Sequence, residues 1–314
     1  MVYAGDNTPT TADKDPIVLQ TKVQTEADMV TNWFKRNEMI CSSDKTKLLV
    51  IGTYANRLHK LTNHDLNLKV TVCGEEKVES TSEKLLGIVV NNTATFRNHF
   101  YGDDENIGLL KQLSIRVNML KRLRKYMTPA RLKLVMEGLF NSKMIYGMTV
   151  WGRVWNIPGD MDEEARAIPT MTKEDLRRMQ VLQNKCLRLI TNSDFKTPTS
   201  SLLYQSGSLS VHQRIAHLSL AQVYTIFQTK NPVYHHNRLF GRNAANNQPD
   251  GRTAISEYRV NRIDFKLSLS RSSFFYQSSR LWSALPDTVK SAANKSIFKK
   301  QCKAWVKANI VIKP

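Results

Sequence analysis

The stretch that decides the fold is Met1-Val2-Tyr3-Ala4-Gly5-Asp6, which opens the sequence. Apolar residues lead into Ala4 and Gly5, and a carboxylate and further polar residues follow. This pattern predicts a short β-hairpin whose tight turn presents Asp6 at its tip. A loose terminus is the alternative interpretation, because terminal residues are often poorly ordered.

The residues after the hairpin predict one helix and three strands, up to about residue 92. Asp15 and Pro16 have the chemistry of a helix N-cap and of the first helical position. Residues 48–51 and 84–90 are apolar runs typical of buried strands, and residues 66–72 alternate as a half-buried strand does. We therefore expect an α+β arrangement, in which a helix packs on one small antiparallel sheet.

From about Gly108 the apolar residues recur with helical spacing, so the remaining chain is predicted to be mostly α-helical. The last predicted helix covers about residues 295–309. Three other helix starts carry the residues of an N-cap or a capping box. They are Thr128-Pro129, Thr172 with Asp175, and Ser210 with Gln213.

Two polar segments divide the helical region. Residues 158–169 are acidic and bounded by prolines, which predicts a linker or lid, and residues 241–251 are rich in Asn, Gly and Ala, which predicts a flexible connector. The predicted domains are residues 1–92, 93–157, 158–240 and 241–314.

The net charge of +19 is distributed unevenly. Residues 1–90 contain 11 Lys+Arg and 12 Asp+Glu, whereas residues 91–314 contain 35 and 15. Such asymmetry indicates a polyanionic partner, nucleic acid before membrane. We expect no membrane span and no signal peptide, because no apolar run has the required length or position. Four widely spaced cysteines predict a reduced chain in the nucleus or cytoplasm.

Several blocks, taken in order, resemble the C-terminal part of the reverse transcriptase of non-LTR (LINE-type) retrotransposons. The hairpin is similar to the Tyr-x-Asp-Asp hairpin of these enzymes, with Gly5 in place of the first aspartate. The later blocks are Asn32-Trp33-Phe34 with Asp44-Lys45-Thr46-Lys47, the primer-grip-like Glu83-Lys84-Leu85-Leu86-Gly87-Ile88, Tyr146-Gly147 with Val150-Trp151-Gly152, Gln180 to Arg188, and Arg280 to Pro286.

The resemblance implies the end of a polymerase palm, a helical thumb and a C-terminal region that together copy RNA into DNA. The family uses Mg²⁺, and phosphoryl transfer of this kind needs carboxylates to hold two ions. Here Asp6 is the one remaining candidate ligand, and it is a vestigial one. We therefore expect no bound metal and no polymerase activity from this chain alone. An active enzyme would require the upstream half of the polymerase as a partner.

The basic residues are the candidate contacts to RNA and DNA, through the backbone of a primer–template. On the last predicted helix, lysines recur every four residues opposite an apolar face, although like charges at this spacing repel. Contact with phosphates would offset that cost through counterion release. An ordinary solvated face, or a non-enzymatic helical interaction module, is the alternative. The candidate residues are Lys45, Lys47, Lys111, Arg116, Lys121, Arg122, Arg124, Lys125, Lys185, Arg188, Lys295, Lys299, Lys303 and Lys307.

Three other motifs have structural interpretations. Tyr101-Gly102-Asp103-Asp104 spells a polymerase tetrapeptide but lacks an apolar approach strand, so we predict a loop and helix cap. Trp151 and Trp155 are predicted to belong to the core rather than to a base-stacking platform. The histidines lack ligand spacing, so no zinc site is expected.

Overall fold

The computed structural model describes residues 2–3, 6–52, 68–159, 171–241, 258–261 and 273–310, with side chains from residue 8 onward. The chain divides into two compact units, Met1–His99 and Phe100–Pro314. The described residues combine helices with small antiparallel sheets, so the α+β class is confirmed. The palm and thumb assignments, and the division into four domains, remain predictions.

Three β-hairpins form the strands of the first unit. Strands β1 (Val2–Tyr3) and β2 (Asp6–Asn7) pair antiparallel, with Tyr3 opposite Asp6. The other pairs are β3 (Lys69–Val72) with β4 (Glu75–Val78) and β5 (Ser82–Leu85) with β6 (Ile88–Asn91). The expectation of one small sheet is wrong, because each hairpin forms its own two-stranded sheet in the described residues.

The first helix, α1 (Pro16–Arg36), begins as predicted, with Asp15 accepting the Ile17 N–H at 2.8 Å. Its side chains bind the backbone of the β3 edge: Gln20 accepts from the Lys69 N–H at 3.0 Å, and Gln24 accepts from the Thr71 N–H at 2.9 Å. Four residues of helix rise about 6 Å, which is close to the rise of two residues of strand. Side chains one turn apart on α1 can therefore bind the backbone groups of alternate residues of β3. The two amides thereby satisfy a strand edge that lacks a neighbouring strand.

Two predicted strands were wrong. Residues 84–90 turn back on themselves at Leu86 and Gly87, whose φ values of +46° and +82° suit a two-residue hairpin turn. Residues 48–51 form no strand beyond an isolated bridge from Leu48 to Glu79. The Leu48 carbonyl accepts from the Ser80 N–H at 2.9 Å, and such single bonds replace a ladder in this segment. A short apolar run by itself does not distinguish these arrangements.

The described part of the second unit is helical. Its early helices are α2 (Arg97–Tyr101, which crosses the unit boundary), α3 (Leu109–Leu123), α4 (Pro129–Met136), a π-helical turn (Glu137–Asn141), α5 (Ser142–Ile145) and α6 (Met148–Trp151). Its later helices are α7 (Lys173–Thr191), α8 (Thr199–Ser206), α9 (Val211–Thr229), α10 (Val233–Phe240), α11 (Phe274–Ala284), α12 (Asp287–Lys290) and α13 (Lys295–Asn309). None of the described helices has the length and apolar character of a membrane span.

Helix α9 is the centre of the second unit, where it contacts α7, α11 and α13. The Tyr224 ring stacks on Phe298 of α13 with centroids 4.2 Å apart, and its hydroxyl donates to the Ala292 carbonyl at 2.6 Å. Trp151 and Trp282 are fully buried in the same unit. Large buried rings of this kind contribute much of a core's apolar area, and they fix where the faces of α13 point.

The predicted capping residues are confirmed. Thr172 and Asp175 form a complete capping box at the start of α7, and Ser210 and Gln213 form another at the start of α9. Thr128 caps α4 before Pro129, as expected. The predicted linker at residues 158–169 and the connector at 241–251 lie almost wholly outside the described residues.

Candidate nucleic-acid interface

Helix α13 covers the predicted range, Lys295–Asn309. Phe298, Cys302 and Val306 are fully buried against the rest of the unit. Its predicted lysines, at positions 295, 299, 303 and 307, are all exposed. A continuous basic face therefore points to solvent along the helix.

Two polar contacts hold α13 antiparallel to α9. The His217 ring nitrogen Nε2 lies 3.1 Å from the Lys299 carbonyl, and Gln213 Nε2 donates to the Ile310 carbonyl at 3.1 Å. Carbonyl groups in the last turn of a helix lack partners within it, so Gln213 supplies one of the missing donors. These contacts, with the stacked core rings, fix the orientation of the lysine face.

Helix α3 presents the second predicted basic surface. Its buried face consists of Leu109, Leu113, Val117 and Leu120, as the apolar stripe indicated. Most of its basic residues are exposed. The exception is Arg116, which is half-buried and donates from Nη1 to the Gln112 carbonyl at 3.1 Å. The exposed ones are Lys111, Lys121 and Arg122 within the helix, with Arg124 and Lys125 directly after its last residue.

Two predicted arginines are engaged within the fold. Arg124 donates to the side-chain oxygen of Asn192, the C-cap of α7. Arg188 donates to the carbonyls of Asp194 and Thr197, each at 3.2 Å, and so orders the loop after α7. Lys185, on the same helix as Arg188, is exposed.

Lys45 and Lys47 are exposed in the first unit, in the segment after α1. Thr46 between them donates from its hydroxyl to the Ser42 carbonyl at 2.8 Å, which closes a local turn. Both lysines thus lie on this exposed segment, and their contact with nucleic acid remains a prediction.

None of the predicted basic side chains forms an ion pair with another described residue. Ion pairs do form elsewhere, for example between Lys22 and Asp13 at 2.6 Å and between Arg177 and Glu174 at 2.7 Å. The basic residues on α3 and those on α13 therefore present two basic surfaces that form no ion pair with a described acidic residue. Each such surface attracts polyanions over a distance of about 10 Å at 0.1 M salt.

Sequence reasoning missed three residues of other helices that act on α13: Lys133 of α4, and Arg214 and His217 of α9. Burial lowers the pKa of Arg214, and the Glu137 carboxylate opposes that shift. Burial also lowers the pKa of Lys303, and the charges of Lys307, Arg214 and Lys133 lower it further. The charges of Lys307, Arg214 and Lys133 thus disfavour the charged form of Lys303.

The catalytic candidates lie outside what the structure describes. Gly5 is not among the described residues, and only the backbone of Asp6 is, as part of β2. The described residues contain no group of three or more His, Cys, Asp and Glu side chains suited to a metal ion. Since Mg²⁺ sites are built from oxygen ligands, Asp6 remains the candidate ligand that the sequence supplied.

The Tyr101–Asp104 tetrapeptide forms a loop, as predicted. Asp103 Oδ1 accepts the backbone N–H groups of Glu105 at 3.2 Å and Asn106 at 2.7 Å. The expected helix cap by an acidic residue was wrong, because the N-cap of α3 is Gly108. A side chain at Gly108 would meet the Tyr101 and Gly102 backbone at about 2.2–2.3 Å, so only glycine fits this close approach.

The aromatic residues are structural, as expected. Trp151 is fully buried and donates from Nε1 to the Tyr146 carbonyl at 3.0 Å. Trp155 is buried, and its backbone N–H donates to His212 Nε2 at 2.9 Å. Burial lowers the pKa of His212 to about 4, so this ring is a neutral acceptor at pH 7.

The block that begins at Gln180 forms a buried polar network. Gln180 Nε2 donates to Gln183 Oε1 at 2.8 Å and to Asn184 Oδ1 at 2.9 Å. Gln183 Nε2 then donates to the Leu209 carbonyl at 2.9 Å, and Gln180 Oε1 accepts the Val211 N–H at 2.9 Å. Fully paired networks of this kind specify local geometry, and this one fixes the start of α9 relative to α7.

Comparisons with models of protein families, with curated proteins and with solved structures gave no match to this chain.

Proposed function

We propose that this chain is part of a non-LTR retrotransposon reverse transcriptase that binds RNA and DNA without sequence preference and does not polymerise by itself. The ordered sequence blocks support the family. The observation that carries the binding function is the set of exposed basic residues on α3 and α13, which no described acidic residue neutralises.

The physical argument is electrostatic. Residues 100–314 contain 34 Lys+Arg and 15 Asp+Glu, so the second unit carries the surplus charge of the chain. Each lysine that neutralises a phosphate releases counterions, which drives binding and makes it dependent on salt. Binding that rests on this effect alone has a Kd on the order of 10⁻⁴–10⁻⁶ M at physiological salt.

The test compares two variants of the full chain that lose the same charge. One replaces Lys295, Lys299, Lys303 and Lys307 of α13 with Gln, and the other replaces four exposed lysines outside the candidate set. Those four are Lys14, Lys35, Lys196 and Lys230. Fluorescence anisotropy on labelled single-stranded RNA of random sequence measures affinity at several KCl concentrations.

We expect the α13 variant to lose affinity and to reduce the slope of log K against log[KCl] by up to about 3, since each contact to a single strand contributes roughly 0.7. The control variant should keep most of the dependence of log K on log[KCl]. If both variants bind alike, the lysines of α13 are not the contact surface. A helical module that uses its charge for solubility or for a protein partner then becomes the better description.

Catalysis is tested separately. A primer-extension assay with the full chain, Mg²⁺ and deoxynucleotides is expected to give no product, because a lone aspartate does not hold two divalent ions. Product formation by this chain alone would contradict this part of the proposal and leave the binding part standing.

A further inference from the structure

Two of the four cysteines are in contact in the first unit, although they are distant in sequence. Cys41 lies in the segment after α1, and Cys73 follows the last residue of β3. The Cys73 thiol donates to the Cys41 carbonyl, with sulfur and oxygen 3.8 Å apart. Cys73 is exposed and Cys41 is half-buried, so one thiol of the pair is open to solvent.

A second contact holds the same two backbone segments together. Hydrogen bonds from Lys77 and from the Ser43 side chain lower the pKa of the Glu75 carboxyl. Ser43 is two residues after Cys41, and Glu75 is two residues after Cys73. The segment after α1 and the β3–β4 hairpin therefore meet at two successive places, which fixes the position of one cysteine relative to the other.

The hairpin turn presents Cys73 in an uncommon backbone conformation. Cys73 and Gly74 have φ values of +52° and +84°, as a two-residue turn between antiparallel strands requires. Glycine, Asn and Asp are the usual residues at such positions. Backbone preference therefore does not account for a cysteine at this turn.

The two thiol groups also act on each other. Burial raises the pKa of Cys73, and the charge of Cys41 and a hydrogen bond with its side chain raise that pKa further. Both cysteines lie outside helices and strands, where the backbone tolerates small adjustments. The two sulfurs can therefore approach to the roughly 2.05 Å of a disulfide bond.

We propose that Cys41 and Cys73 form an oxidisable thiol pair, a modification site at which a low-molecular-weight disulfide of the glutathione class converts the two thiols into one disulfide. The exposed Cys73 reacts first. Its thiolate attacks one sulfur of the oxidant, forms a mixed disulfide and releases one molecule of the small thiol.

The second step closes the pair. The Cys41 thiolate attacks the Cys73 sulfur, forms the bond between the two cysteines and releases the second small thiol. The two protein thiols thereby lose two electrons and two protons, and both are recovered in the two small thiols. The bond joins residues 32 positions apart, and such a cross-link stabilises a fold chiefly by restricting the unfolded chain.

The experiment incubates the full chain, at low concentration, in buffers with defined ratios of reduced to oxidised glutathione. Samples are quenched with acid, free thiols are alkylated with N-ethylmaleimide, and peptides are identified by mass spectrometry without reduction. The same titration in urea measures the pair in the unfolded chain. Two matched variants, Cys41→Ser and Cys73→Ser, each leave one thiol of the pair.

We expect a peptide pair linked through Cys41 and Cys73 to be the main oxidised species of the native chain. Its equilibrium constant for oxidation by glutathione disulfide should be at least about tenfold larger in the native chain than in urea, because a disulfide that stabilises the fold is favoured by the fold to the same extent. C41S should accumulate the mixed disulfide at Cys73, and C73S should carry less glutathione at Cys41.

Three results would overturn the proposal. The first is a native chain that stops at the mixed disulfide or links Cys73 between two chains. The second is a Cys41–Cys73 bond that forms no more readily in the native chain than in urea. The third is a pair that oxidises no more readily than the buried Cys186 and Cys302. The comparison between native chain and urea uses the unmodified protein, so it does not depend on whether either variant folds.

Discussion

The lysine spacing on α13 makes a prediction about stability that is independent of any ligand. Lys295, Lys299, Lys303 and Lys307 form three consecutive i,i+4 pairs of like charge, each of which costs roughly 0.2–0.5 kcal/mol. The double variant Lys299→Gln with Lys303→Gln removes all three pairs. Gln and Lys have similar helix propensity, so relieved repulsion should raise the free energy of unfolding by about 1 kcal/mol.

The contribution of Lys303 is expected to be the larger one. Burial and the charges of Lys307, Arg214 and Lys133 lower its pKa, which shows that its charged form is disfavoured in the fold. Each single variant removes two of the three pairs, so pair repulsion alone would give the two variants equal gains; the gain from Lys303→Gln should therefore exceed that from Lys299→Gln.

Urea unfolding followed by circular dichroism at 222 nm measures the change, at about 0.01 M and at about 1 M NaCl. The Debye length falls from about 30 Å to about 3 Å over this range, so the gain should be present at low salt and small at high salt. A variant with Lys84→Gln and Lys196→Gln, both exposed and outside helices, is the matched control. If the α13 variant gains no stability at low salt, or gains equally at both salts, the repulsion argument is wrong.

Three further predictions concern buried groups. Cys186 and Cys302, whose pKa burial raises to about 12, should resist iodoacetamide until urea is added, while the exposed Cys73 reacts in the native chain; equal native labelling would refute this. The pKa of His212 is lowered to about 4, so as pH falls His212 is protonated at a higher pH in the unfolded chain than in the folded chain. Stability of roughly 3 kcal/mol should be lost between about pH 6.5 and pH 4, and His212→Gln should flatten that part of the urea-unfolding pH profile. Gln180→Leu leaves a buried backbone N–H unpaired and should lower the unfolding free energy by about 1–3 kcal/mol, whereas a loss below 0.5 kcal/mol would contradict the network.

Elements whose signals are local could be predicted from the sequence. Asp15 before Pro16 starts α1, and the capping box at Thr172 starts α7, because each contact joins residues within one turn. The last helix was also predictable, since its buried residues recur at helical spacing opposite the lysines.

The strands were harder to predict because apolar runs of similar composition form different structures. Residues 84–90 contain the signal that was missed, since Gly87 supplies the positive φ that a two-residue turn requires. The edge pairing of Gln20 and Gln24 with β3 joins residues more than 40 positions apart, and no local pattern indicates it.

The sequence predicts only part of the candidate interface, again because it shows local patterns and not contacts between distant residues. The lysines of α13 follow one helix period, so the sequence shows them as one face. The charges of Arg214 and Lys133 act on Lys303 from two other helices, and each residue alone looks like an ordinary surface cation in the sequence. The unpaired Arg214 Nε is visible only in the folded structure.

The salt dependence of nucleic-acid binding by the unmodified full chain tests the central claim most directly. Anisotropy titrations with labelled random-sequence RNA and DNA are made from 50 mM to 200 mM KCl. Four phosphate contacts to a single strand give a slope of about −3, which corresponds to a loss of affinity of roughly 50-fold over this range. We predict a loss of at least this size, similar for RNA and DNA and for unrelated sequences. Binding that is absent, or that changes less than about twofold over this range, would contradict the account.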